Sequence, residues 1–249
     1  MTDTVHFELA AGVGTATLDH PEKRNALTPG MLQQLADEIP ALARAGARVL
    51  VLRGAGKVFC GGYDIQALAE HGAGADYAEE AHPLMRALEA LECFPGPTVA
   101  ALSGHVIGGG CLLALTCDLR YAARGVKWTI PAAKLGVVYP EQGVRRLAAT
   151  VGLGRAMELL LLAEPLETDQ AVEWGLYNAA FAPGIFEDKL EERLRALSRR
   201  APLAVDGLHQ IVRRAVLPAL QPQVSELIQA LTARALQSED HAEGIAALA

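Results

Sequence analysis

Cysteine is scarce in this chain: four residues, Cys60, Cys93, Cys111 and Cys117, in 249. None forms a CxxC pair, so no metal site is expected, and the number is low for a disulfide scaffold. The thiols read as reduced, which points to a cytoplasmic protein. Basic residues do not predominate either. Lys and Arg total 22 against 29 Asp and Glu, for a net charge of -7. That balance argues against a general nucleic-acid binder, which carries a basic footprint. It leaves room for an anionic ligand, since a few local Lys and Arg residues suffice. Long apolar runs are missing as well. Each one is broken by Gly, Pro or a charge well short of the ~20 residues of a membrane span. The stretch MTDTVHFELA has no basic segment followed by an apolar run, so no signal peptide is expected. Low-complexity segments and fixed-period repeats are also absent.

What is present is apolar residue in quantity. At 51% hydrophobic, the chain can bury the core of one large domain. Val5 to Leu9 and Val13 to Leu18 alternate about Gly12 and Gly14, the pattern of a hairpin. Thr28 can cap a helix that has Pro29 at its first position. Met31, Leu32, Leu35, Ile39 and Leu42 then recur at helical spacing. Val49–Leu52, Thr98–Leu102 and Leu119–Ala122 are short apolar runs of the buried-strand kind. Helices are predicted over His82–Leu91, from the glycine run to Leu115, and over Gly154–Ala163, Thr168–Trp174 and Phe186–Arg200. Gly72–Gly74 reads as a mobile loop. The last sixty residues carry no strand signal. They read as helical, with breaks near Pro202 and Pro218 and a cap at Ser238. Alternating strands and helices give an α/β class.

Two glycine-rich turns each follow a buried strand: Phe59-Cys-Gly-Gly-Tyr-Asp-Ile65 and Ser103-Gly-His-Val-Ile-Gly-Gly-Gly110. Glycine permits backbone approaches that other residues forbid. A helix start leaves N–H groups pointing outward. Two such turns can each aim one N–H at a single carbonyl oxygen, which makes an oxyanion hole. The same glycines can also serve tight packing alone. Neither run has the spacing of a dinucleotide fingerprint or a phosphate loop.

The order of motifs is more specific than any one of them. His20-Pro-Glu-Lys-Arg-Asn-Ala-Leu27 comes first, then the two glycine turns, Cys117-Asp118 and Ala133-Lys-Leu-Gly136. Ala171-Val-Glu-Trp-Gly-Leu176 and Ser238-Glu-Asp-His-Ala-Glu-Gly244 follow. Over nearly its whole length the chain resembles the crotonase (enoyl-CoA hydratase/isomerase) superfamily. The resemblance implies an α/β spiral of ββα units over residues 1–190 and a helical trimerisation or cover region over 191–249. It also implies a homotrimer or a dimer of trimers, an acyl-CoA substrate and no separate cofactor. By position, the backbone N–H groups of Tyr63 and Gly109 would hold the thioester oxygen. Lys23, Arg24 and Ala26, with Gly61, Asp64 and Ile65, would lie along the CoA. Lys23 and Arg24 can equally be a solvated basic turn. Asp64 and Asp118 can equally be structural acceptors of backbone N–H groups. The sequence as read to Ala249 carries no basic tail of the kind that often helps close the CoA site in this family.

The sequence departs from the family pattern at two places. Hydration of an enoyl thioester uses two carboxylates around one water, and the matching positions here hold Leu112 and Ala132. Neither can deprotonate or orient water. Nearby, Gly136-Val-Val-Tyr-Pro-Glu-Gln-Gly143 offers Tyr139 and Glu141. Its Leu-Gly-Val-x-Tyr pattern is similar to the methylmalonyl-CoA decarboxylase branch of the family, as are Ala201-Pro-Leu-Ala204 and Ser238-Glu-Asp240. Tyr63 departs from that branch, which has histidine there. Decarboxylation needs an oxyanion hole and a weak acid but no base, and Tyr139 could supply the proton or orient the leaving carboxylate. Glu141 could instead shuttle a proton in a double-bond isomerisation, or merely favour a helix start. Tyr139 could equally be a half-buried aromatic with its hydroxyl satisfied locally. His105 reads as space-filling, and His82 is given no role. The alternatives to an acyl-CoA lyase or isomerase are a hydratase with atypical catalytic groups and a non-catalytic CoA-binding homologue. RNA binding, known for a relative of this family, is disfavoured by the charge.

Overall fold

A computed structural model of the chain describes residues 4–64, 82–216, 229–231 and 233–247. Ile65, the Gly72–Gly74 loop and the break near Pro218 lie outside the described residues. A hairpin opens the fold: β1 (Thr4–Ala10) pairs antiparallel with β2 (Val13–Asp19). Next comes α1 (Pro29–Arg44), which starts as its sequence dictates. Thr28 Oγ1 accepts from the Met31 N–H at 3.2 Å, and Pro29 takes the first position. Its buried face is Met31, Leu32, Leu35, Ile39 and Leu42.

Three units then repeat a strand, a second strand and a helix. The first is β3 (Val49–Gly54), β4 (Val58–Cys60) and α2 (Pro83–Glu92). The second is β5 (Thr98–Leu102), β6 (His105–Ile107) and α3 (Gly109–Thr116). The third is β7 (Leu119–Ala123), β8 (Trp128–Thr129), a 3-10 turn (Ala132–Leu135) and α4 (Glu141–Val151). In each unit the first strand joins one sheet and the second joins another. Together with the hairpin and β9 (Ala179–Phe181), the first strands make a six-stranded sheet in the order β1-β2-β3-β5-β7-β9. The second strands make a three-stranded parallel sheet, β4-β6-β8. This stagger is the ββα spiral.

Every residue of β5 is buried, as are the first four of β3, so these strands read as unbroken apolar runs. Helix α3 is buried from Gly110 to Thr116, an apolar helix in the middle of the protein. Its amino end therefore lies where the two sheets' turns converge. Helices α5 (Leu153–Leu161), α6 (Thr168–Glu173) and α7 (Phe186–Ser198) follow. Helix α7 runs across residue 190 and buries Phe186 and Leu190.

Two further helices, α8 (Pro202–Val216) and α9 (Glu239–Ala246), lie in the C-terminal region. Asp118, at the start of β7, fastens α8 to the core. It accepts from the Thr98 N–H at 2.7 Å, the Thr98 hydroxyl at 2.8 Å, His209 Nε2 at 2.9 Å and Arg213 Nε at 3.0 Å. Burial alone would push its carboxyl up. The His209 hydrogen bond, the Arg213 charge and the Thr98 N–H outweigh that and hold it at about 2. The opposite face of α8 is apolar and exposed, with Leu203 at 88% and Leu208 and Ile211 each at 65%. Helix α9 packs on the 3-10 turn so closely that a Cβ at Gly136 would come 2.6 Å from the His241 nitrogen. Among the described residues, no helix is long and apolar enough to cross a membrane.

Candidate active site

The two glycine turns meet. Gly62 has φ +101, and a Cβ there would come 3.3 Å from the Ile107 carbonyl oxygen and 3.5 Å from the Gly109 nitrogen. A Cβ at Gly109 would in turn lie 3.4 Å from the Tyr63 nitrogen. The left-handed φ at Gly62 favours glycine, and a side chain at either position would press on the facing turn. The close approach sets the backbone nitrogens of Tyr63 and Gly109 side by side. Gly109 is the first residue of α3, so its N–H has no carbonyl to meet inside the helix and lies at the helix's positive end.

The first turn is stitched to the segment before α1. The Gly61 N–H donates to the Arg24 carbonyl at 2.8 Å, Leu27 to Gly62 at 2.7 Å, and Asp64 to Leu27 at 3.0 Å. Arg24 and Asn25 are both left-handed, with φ 56 and 54. Fully buried Asn25 holds that bend. Its Nδ2 donates to the Ala55 carbonyl at 2.8 Å and the Val58 carbonyl at 2.7 Å, and its Oδ1 accepts from the His20 N–H at 2.8 Å. So Asn25 is a strut rather than a surface contact. Lys23 and Arg24 are exposed, Ala26 is half-buried, and Lys23 Nζ sits 3.4 Å from the buried Asp64 carboxylate.

Leu112 and Ala132, which the family resemblance matches to the hydratase carboxylates, are both buried. Leu112 packs with Tyr139 over Gly143. A Cβ at Gly143 would come 2.6 Å from Tyr139 Cε1 and 2.8 Å from Leu112 Cδ1. The Tyr139 hydroxyl donates to the Gly108 carbonyl at 3.0 Å. Burial pushes this phenol well above its ordinary range, so it stays protonated. Beneath the turns, burial also pushes the Cys60 thiol up to about 12 and raises Cys111 well above its usual range. Both are neutral thiols and poor nucleophiles.

Other candidates have partners of their own. Glu141 opens α4, but its carboxylate accepts from Arg145 at 3.2 Å, an i,i+4 pair. His105 is exposed, and its Nδ1 accepts from the Lys127 N–H at 3.1 Å. His82, which the sequence left without a role, is the residue that reasoning missed. It is buried, it caps α2 by accepting from the Leu84 N–H at 3.2 Å, and its ring centroid lies 6.0 Å from that of Tyr63. The His-Pro pair before an apolar helix was the signal for the cap; nothing in the sequence placed it beside Tyr63.

The sequence model of the enoyl-CoA hydratase/isomerase family matches residues 8–249. The chain belongs to that family. Family members act on CoA thioesters, and this chain is an enzyme of the same hydratase/isomerase group. It is 32% identical to the 2,3-dehydroadipyl-CoA hydratase of Escherichia coli (strain K12) over 93% of this chain and 89% of that protein. It is 30% identical to the 1,2-epoxyphenylacetyl-CoA isomerase of the same organism over 99% of this chain and 95% of that one. Among solved structures, a methylmalonyl-CoA decarboxylase in complex with 2-nitronate-propionyl-CoA superposes with a TM-score of 0.90 at 26% identity. That match covers 98% of this chain and 94% of the other. The family thus holds hydratases, isomerases and decarboxylases on one spiral.

Proposed function

We propose that this enzyme decarboxylates a malonyl-type acyl-CoA thioester, with the enolate held by the backbone N–H groups of Tyr63 and Gly109. One observation carries the choice of reaction. Both positions that would hold the hydratase carboxylates are filled by buried apolar side chains, Leu112 and Ala132, and Tyr139 packs against the first. A site with no carboxylate there has nothing to activate a water, yet it keeps the two adjacent backbone nitrogens.

Decarboxylation fits such a site. The bond between Cα and the substrate carboxylate breaks, and CO₂ leaves. The bonding pair becomes the enolate, whose negative oxygen is the thioester oxygen facing the two N–H groups. A proton from water then completes the acyl-CoA product. No protein base is consumed. An apolar surround such as Leu112 and Ala132 also favours loss of a charged carboxylate as neutral CO₂. The solved decarboxylase that superposes on the chain supports the same reading. Lys23, Arg24, Ala26, Gly61 and Asp64 flank the turn and would carry the CoA, and the exposure of Lys23 and Arg24 supports their pairing with phosphate; Ile65 would continue that surface. Isomerisation through Glu141 is the second reading, favoured by the position of this carboxylate two residues from Tyr139. Its pairing with Arg145 counts against it. The exposed apolar face of α8 supports a homotrimer or a dimer of trimers, and the protein would work in the cytoplasm.

Incubation with methylmalonyl-CoA, crotonyl-CoA and a 3-enoyl-CoA, with products read by mass spectrometry, tests the reading. Loss of CO₂ from the first is expected. Addition of water to crotonyl-CoA at a typical hydratase rate would overturn the argument from Leu112 and Ala132. Tight CoA binding with no turnover would point to a homologue that has lost chemistry.

A further inference from the structure

We infer that Tyr139 is a positioning residue for the oxyanion hole, acting through the peptide that joins Gly108 to Gly109 and not as the group that protonates the substrate. The inference rests on the reading of Tyr63 and Gly109 as the donors.

The carbonyl of Gly108 and the N–H of Gly109 belong to one trans peptide, so they point in opposite directions. The Tyr139 hydroxyl donates to the carbonyl end at 3.0 Å. The acyl oxygen would sit at the N–H end. Peptide bond lengths plus two hydrogen bonds put the phenol up to about 8 Å from that oxygen, on the far side of the peptide. From there its single proton is committed to the backbone, and it does not touch the developing oxyanion.

The same bond does two things for the donor at the other end. It draws electron density toward the carbonyl oxygen, which makes the N–H a stronger donor, as hydrogen bonds in a chain polarise one another. It also helps to fix the plane of that peptide. Gly108 has φ 52 and ψ -113, and neither Gly108 nor Gly109 has a side chain to resist rotation. The other donors to that oxygen, the N–H groups of Cys111 at 3.0 Å and Leu112 at 3.4 Å, are local to the helix. Tyr139 is the anchor from outside it, 31 residues on in sequence. Its seat is built for the purpose. Gly143 leaves room for the ring, Leu112 packs beside it, and burial keeps the hydroxyl protonated as a standing donor. The leucine that replaces a carboxylate thus has a task of its own, which is to hold the tyrosine.

The test is the carbonyl stretch of carbon-13-labelled propionyl-CoA bound to the full-length enzyme, read by isotope-edited infrared difference and compared with turnover of methylmalonyl-CoA. The wild-type hole should lower the stretch relative to free propionyl-CoA. Tyr139→Phe should lose part of that lowering. Its kcat should fall roughly 10-fold, a fraction of the 10²–10³ lost with a whole donor, while KM stays within about threefold. Incorporation of 3,5-difluorotyrosine at position 139, a stronger donor of the same shape, should lower the stretch further. That variant carries the test if Tyr139→Phe does not fold. A Tyr139→Phe enzyme with a lost rate and an unchanged stretch would make Tyr139 a proton donor and overturn the inference. A stretch indifferent to fluorination would overturn it too. If the wild-type enzyme binds propionyl-CoA without any lowering, the oxyanion-hole reading itself fails.

Discussion

Asp118→Asn should cost this protein stability at neutral pH but progressively less in acid. The carboxylate ties the start of β7 to α8 through Thr98, His209 and Arg213. Its carboxyl titrates at about 2 in place of an ordinary 3.8. At about 1.4 kcal/mol per pH unit, that gap is worth about 2 kcal/mol of folding free energy. The side chain is only 21% exposed, so solvent screening removes little of it. The folded-state value is depressed, so the contribution is complete above the unfolded value of 3.8 and is lost as pH falls toward about 2. By pH 3 roughly half remains. For a chain of this size the loss corresponds to a melting temperature lower by about 4–8 °C at pH 7. Urea titrations of wild type and Asp118→Asn at pH 7, 4 and 3 measure it. A difference that is the same at pH 7 and pH 3 would refute the reasoning, because it would show that charge on Asp118 does not hold α8. So would a difference below about 0.5 kcal/mol at neutral pH, the size of an ordinary surface substitution.

Gly143→Ala places a methyl group 2.6 Å from Tyr139 Cε1 and 2.8 Å from Leu112 Cδ1. Overpacking of this kind costs about 1–3 kcal/mol, and decarboxylation should slow along with it; urea unfolding and steady-state rates check both. Asn25→Ala leaves the His20 N–H and the Ala55 and Val58 carbonyls without their partner. It should lower stability by about 2–4 kcal/mol, seen as a lower urea midpoint. Ile211→Glu puts a charge on the exposed apolar face of α8. If this face joins protomers as proposed, light scattering should find a smaller particle than for the wild type, with circular dichroism unchanged.

Much of the spiral was legible in the sequence because its large sheet is built from apolar runs. β3, β5 and β7 are buried on both faces, so they stand out as Val49–Leu52, Thr98–Leu102 and Leu119–Ala122. The small sheet was not. Its strands are two or three residues long, two of them, β4 and β6, run into or lie within the glycine turns, and all three are fixed by one another rather than by any pattern of their own. Helix α3 and the cap at Thr28 were readable from a glycine run and from Thr-Pro. The meeting of the two turns was expected from motif order, and the close approaches at Gly62 and Gly109 are its physical form. The environments of the site side chains were harder. Glu141 and Arg145 are four apart on one helix face, a pairing that spacing alone could have suggested. Tyr139 and Gly108 are 31 apart, and no local rule joins them. Asn25 looked like part of a basic, CoA-facing turn, and its burial depends on carbonyls about 30 residues away.

The proposed decarboxylation requires a site that stabilises an enolate. Calorimetric titration with propionyl-CoA and with 2-nitronate-propionyl-CoA, which is planar and anionic as an enolate is, tests it most directly. The nitronate should bind at least about 10²-fold more tightly, the lower end of the range for transition-state analogues. Equal affinities for the two thioesters would contradict it.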